Sequence, residues 1–413
     1  MRILGILREG KIPADQRAVL NPAQCRELLD RHPDWQIWVQ PSSVRAIQDA
    51  EYVAAGCFVA EDLGPAELII SVKEVPVDEL VPGATHFFFS HTYKGQPYNR
   101  GLLRACLDRD VRLIDWELLR QNGKRIIGFG EYAGLVGAYE ALRGWGLQRG
   151  TWSFPPALEL GRVAALKAEL AAHTWPSDAR IVLTGVGRVG HGASEMLRAG
   201  GFREVPPTEF LHGAEGPCFT VLEAEHYVQR ASDGGYDRSE FRAHPERYTS
   251  ALAPYLEVAT VYLPCHFYAE GGPAFFTAAD VLRPTNRLEF VGDIACDIAG
   301  PVPCTLRPSK GNDPFYGWDP VTGSEVALGT PGSLGVLAVD NLPSQVPTDA
   351  TEGFGRAFIE QVWPQWLAGD PEGILAAATE CADGSLTAPY AYLAGYASAI
   401  ETAAPEASAL GGR

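Results

Sequence analysis

The stretch that decides the fold is Ile181-Val182-Leu183-Thr184-Gly185-Val186-Gly187-Arg188-Val189-Gly190. Its first four residues are apolar or β-branched and predict a strand, and residues 193–198 beyond the glycines predict a helix. Gly-x-Gly-x-x-Gly alone is a weak signal in a chain with 44 glycines. Between a strand and a helix, however, the glycines permit a tight turn, and the helix N-terminus then faces a pyrophosphate. The context therefore favours a dinucleotide-binding domain over a plain strand-to-helix turn.

The same stretch supplies the candidate cofactor-binding residues, which are Gly185, Gly187, Arg188, Val189 and Gly190. An acid that binds the ribose is expected about 20 residues further on, at the end of the second strand. Glu209 is the nearest candidate, and Arg203 lies close to it in sequence. Because an acid favours NAD and an arginine favours NADP, the choice between the two cofactors stays open.

Short apolar or β-branched runs alternate with helical segments along most of the chain. The predicted strands are 3–7, 35–39, 68–72, 86–90, 111–116, 181–184, 259–263, 288–294 and 334–339. The predicted helices include 22–31, 99–109 and a long one over 159–172. Such alternation predicts βαβ units and parallel sheets, and 413 residues are enough for about two domains. We therefore expect an α/β protein with two Rossmann-like domains.

Composition restricts the partners. The formal net charge of −17 repels phosphate backbones and anionic lipid, so a small molecule is a better expectation than nucleic acid or a membrane. The chain shows neither a signal peptide nor an apolar run of about 20 residues. Its eight cysteines are scattered and form no C-x-x-C pair, which is typical of reduced thiols in the cytoplasm and not of a zinc site or a disulfide frame. We expect no metal.

Lysine is rare in this chain: only six of the 34 cationic side chains are lysines. Two of them, Lys73 and Lys94, lie near His91, and Lys73 and His91 each follow a predicted strand. Neighbouring parallel strands share an edge, so the two side chains can meet at one substrate and act as acid and base. The alternative is a solvated lysine and a histidine satisfied by hydrogen bonds.

Charged residues follow other predicted strands at the same edge. Arg17 follows the first strand with Asp15, and Arg125 follows the fifth with Glu117. An arginine fork grips a carboxylate bidentately, so both arginines are candidates for binding a substrate that carries carboxylates. The alternative for each is a solvated surface arginine.

Two further segments carry a structural or functional prediction. Gly128-Phe-Gly-Glu-Tyr-Ala-Gly-Leu-Val-Gly137 predicts a close crossing where small residues let a helix approach the other domain. Asp340 ends the last predicted strand and could bind a ribose, polarise a water or cap the next helix. The cap is disfavoured, because Asp340 lies several residues before the expected start of the helix.

Taken together, these residues resemble the lysine-forming saccharopine dehydrogenases and the lysine–2-oxoglutarate reductase domain of the bifunctional animal and plant enzymes. Both belong to the wider alanine dehydrogenase and transhydrogenase family. The motifs that carry the resemblance are Arg17-Ala-Val-Leu20, Val72-Lys-Glu-Val-Pro76, Ser90-His-Thr-Tyr-Lys-Gly-Gln96, Phe129-Gly-Glu-Tyr-Ala-Gly134, Asp293-Ile-Ala-Cys-Asp297, Asp340-Asn-Leu-Pro343 and His244-Pro-Glu-Arg-Tyr-Thr-Ser250. The run Tyr93-Lys-Gly-Gln96 is not what plain alanine dehydrogenases carry.

The resemblance implies roles for these residues. Lys73 and His91 would be the acid–base pair, and Arg17 and Arg125 would grip substrate carboxylates. Further substrate-site residues would be Glu74, Lys94 and Glu117, and the glycine loop and Asp340 would serve the cofactor. Asp15 stands where yeast-type enzymes carry a glutamate, and residues 203–223 are more similar to the reductase domain.

The resemblance also implies a domain order. Residues 1–137 would begin a substrate domain, 138–340 would form the dinucleotide-binding domain, and 341–413 would return to the substrate domain. Independently of the resemblance, the last ten or so residues are rich in Ala, Gly and Ser, which predicts a frayed tail. The active site would lie in the cleft between the two domains.

Three functions follow as hypotheses. The first is NAD- or NADP-dependent interconversion of saccharopine, or a related secondary amine, with lysine and 2-oxoglutarate. The second is oxidative deamination of a small amino acid such as alanine, and the third is a catalytically inactive nucleotide-binding sensor. Loss of Lys73 or His91 would indicate the sensor, and both are present. The oligomeric state and the physiological direction stay open.

Overall fold

The computed structural model describes residues 1–10, 14–266, 268 and 270–398. The chain divides into two compact units: unit 1 comprises Met1–Gly128 and the chain from Thr351 on, and unit 2 comprises Phe129–Ala350. The sequence-based boundaries, after residues 137 and 340, differ from these by nine and ten residues. The first boundary differs because a helix that begins at Gly130 packs as a whole within unit 2. The tail expected to be frayed lies outside the described residues.

The strands are numbered in chain order. They are β1 Arg2–Ile6, β2 Trp35–Val39, β3 Phe58–Val59, β4 Leu68–Ile70, β5 Thr85–Phe88, β6 Arg112–Asp115, β7 Arg120–Gln121, β8 Lys124–Arg125, β9 Arg180–Thr184, β10 Arg203–Glu204, β11 Cys218–Leu222, β12 Val228–Arg230, β13 Tyr248–Ser250, β14 Val261–Pro264, β15 Phe290–Gly292, β16 Phe315–Asp319, β17 Ser324–Val326, β18 Leu334–Leu337, β19 Thr379–Ala382 and β20 Ser385–Leu386.

The α-helices are numbered in the same way. They are α1 Pro22–Arg31, α2 Asp49–Ala54, α3 Arg100–Asp108, α4 Gly130–Arg149, α5 Ala157–Leu160, α6 Val163–Ala171, α7 Arg188–Ala199, α8 Pro207–Leu211, α9 Ala224–Tyr227, α10 Arg238–Ala243, α11 Ala253–Leu256, α12 Ala278–Val281, α13 Pro347–Ala357, α14 Trp363–Leu367, α15 Ile374–Ala377 and α16 Ala394–Ser398. None of the helices in the described part of the chain is both long and apolar enough to cross a membrane.

Unit 1 contains an eight-stranded sheet in the order β20-β19-β6-β5-β4-β1-β2-β3. Strands β1 to β6 are parallel, whereas β19 pairs antiparallel with β6 and β20 pairs antiparallel with β19. The central strands β4 and β5 are buried along their whole length, as parallel strands covered on both faces must be. The carboxyl ends of β6, β5, β4 and β1 therefore lie side by side at one edge.

Unit 2 contains a second eight-stranded sheet in the order β10-β11-β9-β14-β15-β18-β16-β17. Its first six strands are parallel, and β16 and β17 are antiparallel at one side. The expected α/β class with two Rossmann-like parallel-sheet domains is thereby confirmed. Both sheets place the carboxyl ends of their central strands at one edge, where α/β folds bind ligands.

Helix α4 lies beneath the sheet of unit 2 and crosses α7 closely. A methyl group at Gly134 would overlap the carbonyl oxygen of Val189, and one at Gly192 would overlap that of Glu131. Most of α4 is buried, which accounts for the absence of a polar face. The close crossing predicted for residues 128–137 is present and α7 is its partner, but the crossing lies within unit 2 and not between two domains.

The structure differs from the sequence-based elements in two ways: one predicted helix is broken, and some strands were not predicted. The helix predicted over 159–172 is broken into α5 and α6, because Gly161 adopts a left-handed conformation with φ of 64°. Strand β11 was not predicted, although Cys218-Phe-Thr-Val-Leu222 is an apolar run of the kind that forms buried strands. All eight cysteines are unbridged, and seven are buried.

Candidate active site

The residues predicted to perform acid–base chemistry lie at the carboxyl edge of the sheet in unit 1. Lys73 lies three residues beyond β4, His91 three residues beyond β5, and Glu117 two residues beyond β6. Because β4, β5 and β6 are consecutive neighbours in the sheet, the structure brings their following loops together. The residues that follow these neighbouring strands in the sequence therefore lie at one site in the structure.

The imidazole of His91 is oriented by two carboxylates. Its Nδ1 atom lies 2.9 Å from Glu74 Oε1, and because a carboxylate only accepts, Nδ1 carries the hydrogen. Its Nε2 atom lies 3.8 Å from Glu117 Oε2, too far for a hydrogen bond. Nε2 is therefore the ring atom that can exchange a proton with a substrate.

Glu117 is the centre of a charge cluster. Lys94 Nζ lies 3.1 Å from its Oε2, and Arg125 Nη2 lies 2.6 Å from its Oε1. Burial alone would raise the pKa of Glu117, but the charges of Arg125 and Lys94 outweigh it and lower the pKa to about 2. The side chains of Lys94 and Arg125 remain 39% and 37% exposed, so both cations can also face an anionic substrate.

Lys73 lies in the loop after β4, and Glu9 binds the backbone of this loop. Glu9 was not among the residues predicted from the sequence. The carboxylate of Glu9 accepts the backbone N–H of Val72 at 2.6 Å and that of Lys73 at 2.8 Å. Burial raises the pKa of Glu9 to about 7, although both hydrogen bonds oppose this. A signal was present, because Glu9 follows β1 in the same way as the acids that were chosen follow their strands.

Arg17 and Asp15 form a buried ion pair, and both side chains are only 2% exposed. Arg17 Nε lies 2.9 Å from Asp15 Oδ1, and Nη2 lies 2.5 Å from Oδ2. Burial opposes ionisation of Asp15, yet the hydrogen bonds and charge of Arg17, with a smaller effect of Lys73, lower its pKa to about 2. Two donors of Arg17 thus bind Asp15, and its role as a substrate grip stays a prediction.

Asp115 was also missed, and it fixes the backbone on both sides of the site. Its Oδ2 accepts the N–H groups of Ser90 at 2.8 Å and His91 at 2.9 Å, and its Oδ1 accepts that of Glu117 at 2.7 Å. His91 adopts a left-handed conformation with φ of 55°, which few residues other than glycine, asparagine, aspartate and histidine tolerate. Asp115 therefore holds a local conformation that the chain would not otherwise favour.

The glycine loop of unit 2 joins β9 to α7, as the sequence predicts. Gly185 has a φ of 101°, and its N–H donates to the carbonyl oxygen of Leu222 at 2.9 Å. A methyl group at Gly185 would lie 2.6 Å from the carbonyl oxygen of Cys265, and one at Gly190 would overlap that of Gly185. Protein packing alone thus requires glycine at both positions.

Gly187 is different, because no atom of the described residues lies within 4 Å of a methyl group placed there and its φ of −83° suits any residue. Neither packing nor backbone conformation explains this glycine. It immediately precedes α7, whose first residues are Arg188 and Val189, so space is left at the N-terminus of that helix. A cofactor pyrophosphate that approaches the backbone there fits this arrangement.

The structure places Glu209 away from the end of a strand. It lies in the short helix α8, is exposed, and pairs with Arg203 at 2.7 Å. The strand that neighbours β9 is β11, not β10, and Glu223 follows β11 directly as an exposed acid. The expected spacing of about 20 residues beyond the glycine loop selects Glu209, but in the structure this spacing does not reach the end of β11, the strand that pairs with β9.

Asp340 lies three residues beyond β18 and is exposed. Burial and then the charges of Asp293 and Asp340 raise the pKa of Cys296 to about 12, so the two acids lie near this thiol. Strands β9, β14, β15 and β18 are consecutive in the sheet, which places Asp340 at the same edge as the glycine loop.

Comparison with known proteins gives consistent results. Residues 5–136 match the family model described as alanine dehydrogenase/PNT, N-terminal domain. The chain is 31% identical over 402 residues to the mitochondrial alpha-aminoadipic semialdehyde synthase of Mus musculus, and the match covers 86% of the chain but only 42% of the mouse protein. The chain thus spans less than half the length of that relative.

A second relative is matched over most of its length. The chain is 25% identical to the NAD(+)-dependent, L-lysine-forming saccharopine dehydrogenase of Yarrowia lipolytica, and the match covers 86% of the chain and 89% of the yeast protein. Among solved structures, an L-alanine dehydrogenase superposes with a TM-score of 0.63 at 19% identity, covering 94% of this chain and 97% of the other. This last likeness concerns the fold alone.

Proposed function

This chain is a homologue of the alpha-aminoadipic semialdehyde synthases and the saccharopine dehydrogenases that carries an alanine dehydrogenase/PNT N-terminal domain, and from this premise we propose that it interconverts saccharopine with L-lysine and 2-oxoglutarate. The observation that carries the proposal is the edge of unit 1. There Lys73 and His91 follow neighbouring strands, among the carboxylates of Glu74 and Glu117. Such an arrangement suits a substrate that must lose and gain protons at a carbon–nitrogen bond.

The reaction requires an oxidation and a hydrolysis. The carbon next to the secondary amine gives up a hydrogen with two electrons, and the nitrogen loses a proton, which together form an imine. Water adds to the imine, and the carbon–nitrogen bond then breaks to release lysine and 2-oxoglutarate. A bound nicotinamide cofactor would accept the two electrons.

In this scheme Lys73 accepts the proton of the amine. His91 Nε2 removes a proton from the attacking water and later returns one to the departing nitrogen, while Glu74 keeps the Nδ1 hydrogen in place. The reductive direction uses the same groups in reverse order.

Lys94 and Arg125 would bind the carboxylates of the substrate. Both cations are partly exposed, and both already contact Glu117, whose carboxylate holds them in position. A dicarboxylic product such as 2-oxoglutarate uses more than one cation. Arg17 would contribute through its effect on Asp15 or through a direct contact with a substrate carboxylate.

We assign the cofactor site to the glycine loop and the acid Glu223. The space at Gly187 supports binding of the pyrophosphate at the N-terminus of α7. Because a carboxylate at the end of β11 can bind a ribose hydroxyl but repels a 2′-phosphate, Glu223 favours NAD over NADP. Asp340 would complete the cofactor site at the same sheet edge.

Oxidative deamination of a small amino acid is the second candidate, and the match to the alanine dehydrogenase/PNT family model supports it. Such a substrate carries one carboxylate and needs fewer cations than the site provides. The relative from Yarrowia lipolytica is named for saccharopine, and this favours the first candidate over the second.

A coupled assay distinguishes the two activities. Oxidation of NADH and NADPH would be followed with lysine plus 2-oxoglutarate, with pyruvate plus ammonia, and with a panel of other amino and oxo acids. We expect turnover with the first pair and NADH. Turnover with pyruvate and ammonia alone would establish the second candidate, and cofactor binding without any turnover would favour a sensor.

The partners follow from charge and chemistry. A net charge of −17 supports small molecules over nucleic acid and membrane surfaces as partners. The eight unbridged cysteines support a reducing compartment such as the cytoplasm.

A further inference from the structure

Beneath the His91 turn lies a buried polar cluster that the reaction scheme does not use. It consists of Ser90, Thr92, Asp115 and Glu380, and we call it the Ser90 cluster. All four side chains are fully buried. Glu380 belongs to β19, which the chain forms 290 residues after Ser90. The later part of the chain thus contributes an acid to the support of a candidate catalytic residue.

Asp115 accepts more hydrogen bonds than Glu380. Its two oxygens accept three backbone N–H groups, those of Ser90, His91 and Glu117, and Ser90 Oγ lies a further 2.7 Å from Oδ2. Burial raises the pKa of Asp115, but these hydrogen bonds oppose the rise, because donors to a carboxylate favour its ionised form. Oδ2 accepts three of the four bonds, so a proton on that oxygen would displace one of them.

Glu380 has a different environment. Its carboxyl oxygens contact only two hydroxyl groups among the described residues: Oε1 lies 2.8 Å from Ser90 Oγ, and Oε2 lies 2.7 Å from Thr92 Oγ1. No backbone N–H group in the described part of the chain donates to it. An anion here would be poorly solvated.

The number of hydrogens available for hydrogen bonds distinguishes the cluster with both acids ionised from the cluster with a proton on Glu380. The cluster contains four oxygen–oxygen contacts of 2.7–2.8 Å, namely Ser90 with Asp115, Ser90 with Glu380, Ser90 with Thr92 and Thr92 with Glu380. If both acids are ionised, two hydroxyl hydrogens must serve all four contacts. A proton on Glu380 supplies a third hydrogen, which Glu380 donates to Ser90 while Ser90 donates to Asp115.

We propose that Glu380 is a positioning residue that holds the one proton shared between it and Asp115, and that this neutral carboxyl, through Ser90 and Thr92, fixes the left-handed turn from which His91 projects. The role assigned to His91 rests on the proposed function. The proton on Glu380 does not.

The charges around Glu380 agree with this assignment. Asp115 on β6 is the charged group that acts on it, and burial followed by this charge raises the pKa of Glu380 to about 7. The charge of Glu380 would in turn act on four other ionisable groups. These are Cys106 on α3, and Tyr390, Tyr392 and Tyr396 in the segments that follow β19. A hydrogen bond to Cys381 and burial raise the pKa of Cys106, and burial raises the pKa of each tyrosine, so all four groups stay neutral near pH 7 and provide no compensating cation.

Two substitutions test the proposal in the full-length protein. Glu380→Gln keeps the size and a hydrogen donor and imitates the protonated acid, whereas Glu380→Leu removes both polar contacts. Asp383→Asn is the matched control, because Asp383 is an exposed acid in the turn after the same strand and asparagine tolerates its φ of 50°.

The protonation state is measured without reference to activity. The infrared spectrum of the wild type at pH 6 should contain a carbonyl band of a protonated carboxylic acid that Glu380→Gln lacks and Asp383→Asn retains. The same band should fade as the pH rises from 6 to 8. Identical carboxyl bands in the wild type and Glu380→Gln would overturn the proposal.

Positioning is measured by kinetics with lysine, 2-oxoglutarate and NADH. We expect Glu380→Gln to keep kcat at pH 6 within about threefold of the wild type, and Glu380→Leu to lower it by roughly ten- to a hundredfold, since small misplacements of a catalytic group have effects of this size. If Glu380→Gln were as slow as Glu380→Leu at pH 6, the ionised carboxylate would be the required form and the proposal would be wrong.

The test of Glu380 still gives an answer if one variant does not fold or if the wild type shows no turnover. If Glu380→Leu fails to fold, Glu380→Gln alone still separates a neutral from an ionised requirement. If the wild type turns over none of the substrates, the proposed function fails, while the infrared difference still decides whether Glu380 holds a proton.

Discussion

Each of the two candidate acid–base residues is held by a carboxylate that accepts backbone N–H groups, half-buried in Glu9 and fully buried in Asp115. Glu9 binds the backbone of Lys73, and Asp115 binds that of His91. Loops are usually the mobile part of an α/β fold, but charge-assisted hydrogen bonds from the backbone to these two acids restrain both loops. The backbone that carries Lys73 and His91 is thereby positioned independently of their side chains, and the hydrogen bond from Nδ1 to Glu74 then orients the ring of His91.

The first prediction concerns the two residues themselves. Lys73→Met and His91→Gln should each reduce kcat by about 10²–10⁴-fold, the usual contribution of a general acid or base. Affinity for NADH, measured by fluorescence titration, should hardly change, because the glycine loop belongs to the other unit. In His91→Gln the isotope effect from a deuterated cofactor should shrink as hydrolysis becomes limiting.

The control for both variants is a measurement of folding and stability. Both variants should keep the circular dichroism spectrum and the unfolding midpoint of the wild type, since both side chains follow strand ends and lie outside the core. A Lys73→Met enzyme with a near-normal rate, or one that loses activity only by unfolding, would show that this lysine is structural.

At the scale of elements, the glycines of the β9–α7 loop have separate tasks. Gly185 and Gly190 let the loop pack on the carbonyl oxygens around it, whereas Gly187 leaves a space that no atom in the described part of the chain fills. The distinction cannot be read from the motif, in which all three glycines look alike. It follows only from what surrounds each of them.

Alanine substitution should separate these tasks. Gly187→Ala should fold with a normal unfolding midpoint but bind NADH at least tenfold more weakly, because its methyl group would enter the space expected for the pyrophosphate. Gly190→Ala should instead lower the free energy of unfolding by about 1–3 kcal/mol, since its methyl group overlaps a carbonyl oxygen. Calorimetric titration and urea denaturation measure the two effects. Unchanged NADH affinity in Gly187→Ala would contradict the assignment.

The proposal that Glu223, and not Glu209, binds the cofactor ribose can be tested through the choice between NADH and NADPH. Glu223→Ser should raise kcat/KM for NADPH relative to NADH by about tenfold, because it removes a carboxylate that would repel the 2′-phosphate. Serine is also well tolerated before helix α9. Glu209→Ser is the control, and a larger change in this control would return the role to Glu209.

Much of the fold could be predicted from local pattern. Strand β2 and helix α1 have the predicted bounds, because an apolar run and an Asn-Pro start are local signals. Helix α4 was predicted only as a crossing, since its glycines conceal a helix that tertiary packing stabilises. Strand β19 follows no such signal, and its pairing with β6 depends on residues more than 260 positions apart.

The same division holds for the site. Lys73, His91, Glu74 and Glu117 could be predicted because they follow consecutive parallel strands and because the chain resembles a known family. Glu380 could not, because nothing near it in the sequence indicates that it will lie beneath Ser90. Contacts of this kind depend on topology and not on local composition.

For the molecule as a whole, buried acids set an unusual dependence of stability on pH. Burial raises the pKa of Glu9, Asp293 and Glu380 to about 7 each, so each favours the folded state most below pH 4 and loses that contribution as the pH rises through 7. Asp15 and Glu117, with pKa values lowered to about 2, act in the opposite sense below pH 4.

The prediction is maximal stability near pH 4–5, in contrast to the more common optimum between about pH 5 and 8. The free energy of unfolding should fall between pH 5 and 8, by up to about 3 kcal/mol for each of the three buried acids. Repulsion within a chain of net charge −17 acts in the same direction. Urea denaturation at low protein concentration measures this. Glu380→Gln should flatten the curve, and a wild-type optimum above pH 7 would refute the prediction.

The position of β19 in the chain also has a consequence for biosynthesis. Glu380, the acid that supports Ser90, is synthesised 290 residues after it, once all of unit 2 has been translated. At about 5–20 residues per second the nascent chain waits roughly 15–60 s for that partner. During this interval β6 presents an unpaired edge to the cell. The support of the His91 turn is therefore completed only after unit 2 has been translated, and a chaperone that binds unpaired strand edges is expected to bind the nascent chain during this interval.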